Sequence, residues 1–166
     1  MALVIRDERG EDDRAIAQLV SNAFRDAPHA EGTEAEIVAR LRSAGALAIS
    51  LVATSGETII GHIAFSPVAI TGQREGWFGL GPVAVAPQRQ GQGIGTQLIE
   101  TGLDRLRTNG ATGCVVLGEP GYYARFGFDA AMRAQLPGVP QEYFQGLHLG
   151  GGPLPGGTAQ YHAAFC

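Results

Sequence analysis

Residues 79–103 read GLGPVAVAPQRQGQGIGTQLIETGL, a stretch that contains a strand, a glycine-rich turn and the beginning of a helix. Val83 and Val85 alternate with small residues, which is the pattern of a strand, and Pro87 ends that pattern. Apolar residues then recur on one helix face at Ile94, Leu98, Ile99 and Leu103. The backbone must therefore turn, with its amides exposed, at Gly91, Gly93 and Gly95.

A glycine-rich turn at the start of a helix is suited to binding a phosphate group. The first N–H groups of a helix have no partner inside the helix and lie at the positive end of its dipole. Glycine permits positive φ angles and lacks the Cβ atom that would hold a phosphate away from the backbone. The turn is therefore predicted to bind a pyrophosphate; a tight connection that binds nothing is the alternative.

The spacing narrows the choice of phosphate ligand. The nucleoside triphosphate loop requires a Lys after its last Gly, and all 12 basic residues of this chain are Arg. The dinucleotide fingerprint G-x-G-x-x-G fails at its third glycine, which falls on Thr96 counted from Gly91 and on Leu98 counted from Gly93. Glu119 could act as the ribose-binding acid of that fold, but too little chain follows to build its second half. A nucleotide-binding module is the last of the alternatives.

Three motifs in register resemble those of the GCN5-related N-acetyltransferases (GNATs). Residues 90–95, QGQGIG, match the family's Q/R-x-x-G-x-G/A signature, a loop that binds the pyrophosphate of acetyl-coenzyme A. Residues 81–87 look like the family's fourth strand, and residues 123–128, YARFGF, are similar to its Y-x-x-x-G-F element. The resemblance extends loosely across most of the chain. It is strongest to a bacterial subgroup of mostly uncharacterised acetyltransferases that end on a Y-x-x-A-F strand, here residues 161–165.

The resemblance implies an α/β (mixed α+β) fold with a central, mixed and largely antiparallel sheet of six to seven strands and helices on both faces. Strands 4 and 5 are expected to splay apart, so that the pantetheine arm of acetyl-CoA lies between them. Acetyl-CoA is the implied co-substrate, and no metal is implied. The implied cofactor-binding residues are Val83, Val85, Gln90, Gly91, Gln92, Gly93, Ile94, Gly95 and Thr96. Arg125 and Arg89 are candidate phosphate partners because a guanidinium suits bidentate contact with a phosphate; plain surface charge is the alternative.

Acetyl transfer to an amine requires a neutral nucleophile, stabilisation of an oxyanion and a proton for the departing thiolate. By the resemblance, a backbone N–H of the fourth strand is the oxyanion donor. Pro82 in that strand has no N–H, so the expected donor is a neighbouring amide, first that of Val83. Tyr123 occupies the position of the family's general acid; a packing role, or replacement by Tyr122 in a register shifted by one, stays open. Glu119 is the predicted general base, acting directly or through water, and His62 is the second choice. A solvent-facing Glu119, with water relaying the proton and no single essential base, is the alternative.

By the same resemblance the loop between the first two helices borders the acceptor site. The candidates for acceptor contact there are Phe24, Arg25, Asp26 and His29, and a plain solvated loop is the alternative. A small-molecule amine is the favoured acceptor, and a peptide terminus and a protein lysine stay open as alternatives. A CoA-binding sensor without turnover and an acyltransferase for longer acyl chains are the rival functions.

Composition limits the class of protein and its partners. A chain of 166 residues with 45% hydrophobic content suits one domain, residues 1–166. A net charge of -4 argues against a nucleic acid or a membrane as partner, and both a monomer and a homodimer stay open. Cys114 and Cys166 form neither a disulfide framework nor a metal motif. No signal peptide or transmembrane run is visible, so a cytoplasmic location is expected.

Periodicity and turn residues predict the remaining elements. Strands are predicted at residues 2–6, 48–53, 59–70, 111–117 and 161–165, the last of which closes the sheet. One helix is predicted after a cap at Asp12 or Asp13, and a second after a cap at Thr33. The helix after the glycine turn is expected to run to about residue 107, and a short helix is predicted at 122–126. Residues 129–157, rich in Gly and Pro, are predicted to form a turn-rich excursion and a flexible hairpin.

Overall fold

The computed structural model describes residues 2–25 and 32–166. Its strands are β1 (Leu3–Asp7), β2 (Ile49–Ser55), β3 (Thr58–Ile70), β4 (Trp77–Val85), β5 (Gly113–Leu117), β6 (Phe144–His148) and β7 (Ala159–Tyr161). Its α-helices are α1 (Asp13–Phe24), α2 (Glu34–Ser43), α3 (Ile94–Thr108) and α4 (Pro120–Tyr123). Among the described residues no helix is both long enough and apolar enough to cross a bilayer.

The strands form one open sheet in the order β1-β2-β3-β4-β5-β6, and β7 pairs with the far end of β3. All neighbours are antiparallel except β4 and β5, which are parallel. The predicted mixed, largely antiparallel sheet of six to seven strands is therefore confirmed. Because β4 and β5 run parallel, their connection must cross a face of the sheet, and α3 makes that crossing.

β4 and β5 separate partway along their length. Their pairing runs from Trp77 opposite Gly113 to Leu80 opposite Val116, after which β4 continues to Val85 on β3 alone. On the β3 side, Ala64 faces both Gly81 and Pro82, because Ile63 pairs with Val83 and Phe65 with Leu80. Such a two-against-one bulge bends a strand. The bend opens the predicted gap between β4 and β5.

The helices cover both faces of the sheet. A Cβ atom at Gly61 of β3 would lie 3.0 Å from side-chain atoms of Ile94 and Leu98, so α3 packs closely on that face. Successive side chains of a strand point to opposite faces, so His62 points away from α3. Arg42 of α2 reaches Glu8, which bonds to Ser50 next to His62. α2 therefore lies on the face opposite α3.

The part of the chain after β5 differs from the prediction. Residues 129–157 include β6, which pairs with β5 and places Phe144 in a second core with Trp77 and Met132. No alternation marks β6, because both Gln145 and Gly146 are buried as well as Phe144. The predicted strand at residues 161–165 is also wrong: β7 ends at Tyr161, and Ala163–Phe165 form a 3₁₀ turn. His162 Nδ1 accepts the Ala164 N–H and so caps that turn.

The predicted residues Asp12 and Thr33 stand at the N-cap positions of α1 and α2, but they do not cap these helices by a side-chain bond. The Asp12 carboxylate instead accepts bonds from the Arg9 N–H and the Arg6 guanidinium, both at 2.7 Å. The hydrogen bond from Arg6 holds the pKa of Asp12 below its usual value. Asp12 therefore ties α1 to β1 rather than capping the helix.

Candidate active site

The glycine turn presents backbone amides at the start of α3. Gly91 and Gly93 have φ angles of 78° and 81°, in the left-handed region that favours glycine. The first bond of the α3 ladder runs from Gln97 N to Gly93 O at 3.1 Å. The N–H groups of Ile94, Gly95 and Thr96 precede that bond and so remain for a ligand. The Ile94 side chain is buried in the core, which leaves only its amide for binding.

Side chains around the turn hold its shape. Gln90 Nε2 donates to the Val85 carbonyl at 3.2 Å, which ties the turn to the end of β4. Arg89 Nε donates to the Gln92 side-chain oxygen at 3.1 Å. These bonds join the predicted loop residues to β4 within one compact segment.

Tyr122 and Arg125 lie beside the first turn of α3. The Tyr122 hydroxyl is 3.5 Å from Thr96 Oγ1. The Arg125 guanidinium stacks 4.4 Å above the Tyr122 ring, and its Nε donates to the Tyr122 carbonyl at 2.9 Å. The backbone bond uses one of the five guanidinium donors, and the side chain is exposed. Arg125 is thus brought to the same side of the site as Thr96.

The free edge of β4 leads from the glycine turn into the gap. Hydrogen bonds of an antiparallel pair alternate along the strand, and Ala86 N donates to Ile60 O at 2.8 Å. By this alternation Ala84 bonds to β3, while Val83 and Val85 direct their N–H and C=O groups away from β3. Because β5 has already separated, these groups face the gap. The Gln90 bond to the Val85 carbonyl agrees with this orientation.

A cavity of about 850 Å³ opens beside the bulge of β4. Its floor is the bulge and the adjoining part of β4, and Tyr123 and Leu117 lie on the β5 side. The walls come from α1, α2, the loop before β6 and residues 158–166 at the end of the chain. The described lining residues in these walls are Phe24, Glu34, Ile37, Leu136, Pro137, Val139, Thr158, Ala159, Gln160, Tyr161, His162, Phe165 and Cys166.

Tyr123 lines this cavity and Tyr122 does not. The Tyr123 ring contacts the rings of Tyr122, Phe126 and Phe128, at centroid distances of 5.0, 6.3 and 5.9 Å. Burial raises the pKa of Tyr123 to about 12, and Tyr122 and Cys114 add to the shift. The hydroxyl is therefore protonated at neutral pH and able to donate a hydrogen bond. The two neighbouring tyrosines occupy different places, one in the cavity and one at the turn.

The other predicted acid–base and acceptor residues are scattered. The Glu119 side chain is exposed and absent from the cavity lining, while its carbonyl accepts the N–H groups of Tyr122 and Tyr123. Phe24 lines the cavity; Arg25 is exposed and bonds to Asn22. The remaining two candidates, Asp26 and His29, lie outside the described residues.

His62 is buried in a polar network on the α2 face. Its Nε2 lies 2.8 Å from Ser50 Oγ, which donates to Glu8 at 2.6 Å. Glu8 also accepts two bonds from Arg42. Burial lowers the pKa of His62 to about 4, despite the opposing charge of Glu8. His62 is not among the residues that line the cavity.

Tyr161 and Glu34 line the cavity, although the sequence motifs give neither residue a role there. Burial raises the pKa of the Tyr161 phenol, and its hydroxyl has no hydrogen-bond partner among the described residues. The signal in the sequence was a lone Tyr in a short C-terminal strand, which does not reveal which side of the sheet it faces.

The profile of the acetyltransferase (GNAT) domain matches residues 4–131. The chain is 38% identical over 170 residues to the uncharacterised N-acetyltransferase YhbS of Escherichia coli strain K12, with 98% of each chain covered. It is similar to the crystal structure of a GNAT-family acetyltransferase from Brucella melitensis in complex with acetyl-CoA, at 49% identity and a TM-score of 0.88 over 99% of each chain. It is also similar to the crystal structure of Escherichia coli YhbS in complex with CoA, at 36% identity and a TM-score of 0.85, over 98% of this chain and 91% of that one.

Proposed function

This chain belongs to the GNAT family of acetyl-CoA-dependent N-acetyltransferases, and on that premise we propose that it acetylates a primary amine of a small molecule. The amine attacks acetyl-CoA directly while both are bound. The observation that carries the proposal is the continuous path from the glycine turn, along the unpaired edge of β4, to the cavity at Tyr123. This path suits acetyl-CoA, with its nucleotide at the glycine turn and its acyl group at the cavity.

In this proposal the pyrophosphate of acetyl-CoA binds the amides of residues 91–96, and Arg125 is a further phosphate partner. The pantetheine arm then extends along Val83 and Val85, whose backbone groups hydrogen-bond to its amides. The thioester lies at the bulge. The related structures from Brucella melitensis and Escherichia coli are complexes with acetyl-CoA and CoA, respectively, which supports the cofactor.

The reaction forms a C–N bond and breaks a C–S bond, and one proton moves from nitrogen to sulfur. The Val83 N–H is the proposed donor to the oxyanion of the tetrahedral intermediate. The Tyr123 hydroxyl donates to the departing sulfur. An ordinary thiol has a pKa of about 8.5, whereas the Tyr123 phenol has a pKa of about 12 and is therefore the weaker acid. Tyr123 thus acts mainly by donating a hydrogen bond to the sulfur and by carrying the amine's proton to it. Glu119, exposed outside the cavity, is proposed to accept through water the proton that the ammonium form of the amine loses before attack.

A small amine is proposed as the acceptor because the cavity, about 850 Å³ in volume, has the size of small-molecule sites and its described walls are mostly apolar. Cys114 and Cys166 are free cysteines, which suits the reducing cytoplasm, the proposed compartment. The protein is proposed to act as one domain over residues 1–166.

The test is thermal unfolding of the purified protein with and without acetyl-CoA, followed by thiol release against a panel of amines. We expect acetyl-CoA to raise the melting temperature and at least one primary amine to release CoA. A shift without thiol release from any amine would favour the CoA-binding sensor. Faster release from a longer acyl-CoA would favour an acyltransferase of different chain preference, and no shift with saturating acetyl-CoA would contradict the proposed cofactor site.

A further inference from the structure

His162 is a polar side chain in the cavity wall whose ring is held in one form. It follows β7 directly and lines the cavity. Its Nδ1 accepts the Ala164 N–H at 3.0 Å, the bond that caps the 3₁₀ turn. A neutral imidazole has one donor nitrogen and one acceptor nitrogen. Because Nδ1 is the acceptor, the ring proton is on Nε2.

The Nε2–H group of His162 is open to a ligand. It makes no hydrogen bond with any residue that the structure describes, and it is not one of their buried polar atoms without a partner. The Nε2–H is therefore accessible, in contrast to the Tyr161 hydroxyl, which is buried. An accessible donor in a mostly apolar wall is the kind of group that fixes the orientation of a bound small molecule.

The strand order places His162 on the acceptor side of the cavity. The gap proposed to hold the pantetheine arm lies between β4 and β5, whereas β7 pairs with β3 and with neither strand of the gap. Tyr123 and Leu117 lie on the β5 side, and His162 belongs to the wall formed by residues 158–166. His162 is therefore placed to meet the acceptor rather than the pantetheine arm.

The surroundings of the donor define the group that it binds. An N–H group recognises an oxygen or nitrogen lone pair. A buried carboxylate would need a cationic partner as well, and neither Arg nor Lys is among the described lining residues. The described walls include Phe24, Ile37 and Phe165, which suit a carbon skeleton. The cavity thus suits an apolar body that carries an uncharged oxygen.

We propose that His162 donates a hydrogen bond from Nε2 to an uncharged oxygen of the acceptor. The acceptor is then a primary amine whose apolar body carries an ether, hydroxyl or carbonyl oxygen. This inference rests on the proposed acetyltransferase function and adds the chemical class of its amine. The bond orients the body of the amine, so that its nitrogen faces the thioester near Val83. His162 is not a base in this arrangement, because the Ala164 N–H occupies its one lone pair.

His162→Asn separates the donor from the cap. An Asn side-chain oxygen accepts the backbone N–H two residues on, so this variant keeps a bond to the Ala164 N–H and loses the Nε2–H. His148→Asn is the matched control, because His148 Nδ1 accepts the N–H of Gly150, also two residues on, and His148 is not among the cavity-lining residues. Calorimetric titration with acetyl-CoA shows that each variant is folded, and Kd should stay within about twofold of wild type.

Thiol release is measured with amines of matched length. Pentylamine is compared with 2-ethoxyethylamine, 3-methoxypropylamine and 4-amino-1-butanol, which place an uncharged oxygen at three successive positions, and with 4-aminobutanoate, which carries a carboxylate. The readout is kcat/KM for each oxygen-containing amine divided by that for pentylamine. For at least one uncharged oxygen this ratio should fall about three- to tenfold in His162→Asn, the effect of one hydrogen bond, and stay at the wild-type value in His148→Asn. Comparing ratios between proteins cancels the different basicity of the amines, and a merely structural role would change all amines alike.

Two results would overturn the inference while leaving the acetyltransferase function intact: unchanged ratios in His162→Asn at all three oxygen positions, or a wild-type preference for 4-aminobutanoate. If no amine releases thiol from wild type, the proposed function fails. The same amines are then titrated into the CoA-saturated protein. A gain in affinity from the oxygen that wild type shows and His162→Asn lacks supports the role of His162, and equal or absent binding overturns it.

Discussion

His62 Nε2 lies 2.8 Å from Ser50 Oγ, and the single proton of the Ser50 hydroxyl fixes the direction of this bond. That proton goes to the Glu8 carboxylate, 2.6 Å away, which can only accept. His62 must therefore donate from Nε2, and its Nδ1 is unprotonated. Nδ1 is buried and has no partner among the described residues. The network thus holds a neutral histidine, braced by Arg42 and Glu8, in the middle of the sheet.

This histidine makes stability depend on pH. Burial lowers the pKa of His62 from 6.5 to about 4 in the folded protein. Between these two pH values the histidine is mostly protonated in the unfolded chain and mostly neutral in the folded chain. Stability is therefore present above pH 6.5 and lost as the pH falls toward 4. We expect the free energy of unfolding to drop by about 2 kcal/mol between pH 7.5 and 5.0 from this group alone. Urea denaturation at the two pH values measures the drop.

The matched variants are His62→Leu, which removes the titrating group, and His148→Leu, which leaves it in place. His62→Leu should flatten the pH dependence, whatever its absolute stability, and His148→Leu should keep it. The pKa of Glu8 is also held below its ordinary value, against its own desolvation, by Arg42 and Ser50, so it adds a loss of the same sign at lower pH. An undiminished drop in His62→Leu would assign the effect to other groups.

Gly93→Asp should weaken acetyl-CoA binding by roughly tenfold or more, because a carboxylate would meet the pyrophosphate at the start of α3. Gly151→Asp is the control. Both glycines are exposed, have φ angles near 80° (81° and 79°) and have open space around an added Cβ. The backbone strain is therefore alike, and only the position differs. Calorimetric titration with acetyl-CoA measures the contrast, and equal affinities would place the pyrophosphate elsewhere.

Tyr123→Phe should lower kcat by about 100-fold, the lower end of the effect of a general acid, while the Kd for acetyl-CoA is unchanged. Tyr122→Phe removes only a hydroxyl 3.5 Å from Thr96 Oγ1 and should leave kcat within about twofold. Steady-state thiol release with a productive amine gives both values. A larger loss in Tyr122→Phe than in Tyr123→Phe would reverse the roles of the two residues.

Gly118→Ala should slow turnover by about tenfold through a shift of Tyr123. A Cβ atom at Gly118 would lie 2.5 Å from Tyr123 Cε2, so the ring must move. Gly121→Ala, two residues from Tyr123, adds a methyl group with nothing within 4 Å. Measured kcat should fall in the first variant and not in the second, with acetyl-CoA binding retained in both. Normal turnover in a folded Gly118→Ala protein would show that the position of Tyr123 is not critical.

The predictable part of the fold lies in short stretches of sequence. The order of β4, the glycine turn and α3 follows from residues 79–103, because alternation, helical spacing and glycine φ preference each act over a few neighbouring residues. The end of α3 at Gly110 and the end of the short helical segment at Gly127 are also local features, because both glycines have positive φ angles, 80° and 98°. The family resemblance of these motifs then predicted the mixed sheet and the separation of β4 from β5.

What the sequence alone determined is thus the glycine turn, its flanking strand and helix, and through them the family. Which residues share the cavity depends on how the folded elements pack. The Tyr161 ring rests on Gly79, a contact between distant parts of the chain that no local pattern encodes. The face on which His62 lies and the separation of Tyr123 from Tyr122 likewise depend on sheet register and helix packing. Local backbone preferences are encoded within a few residues, whereas the contents of a cavity depend on contacts that form only when the whole chain has folded.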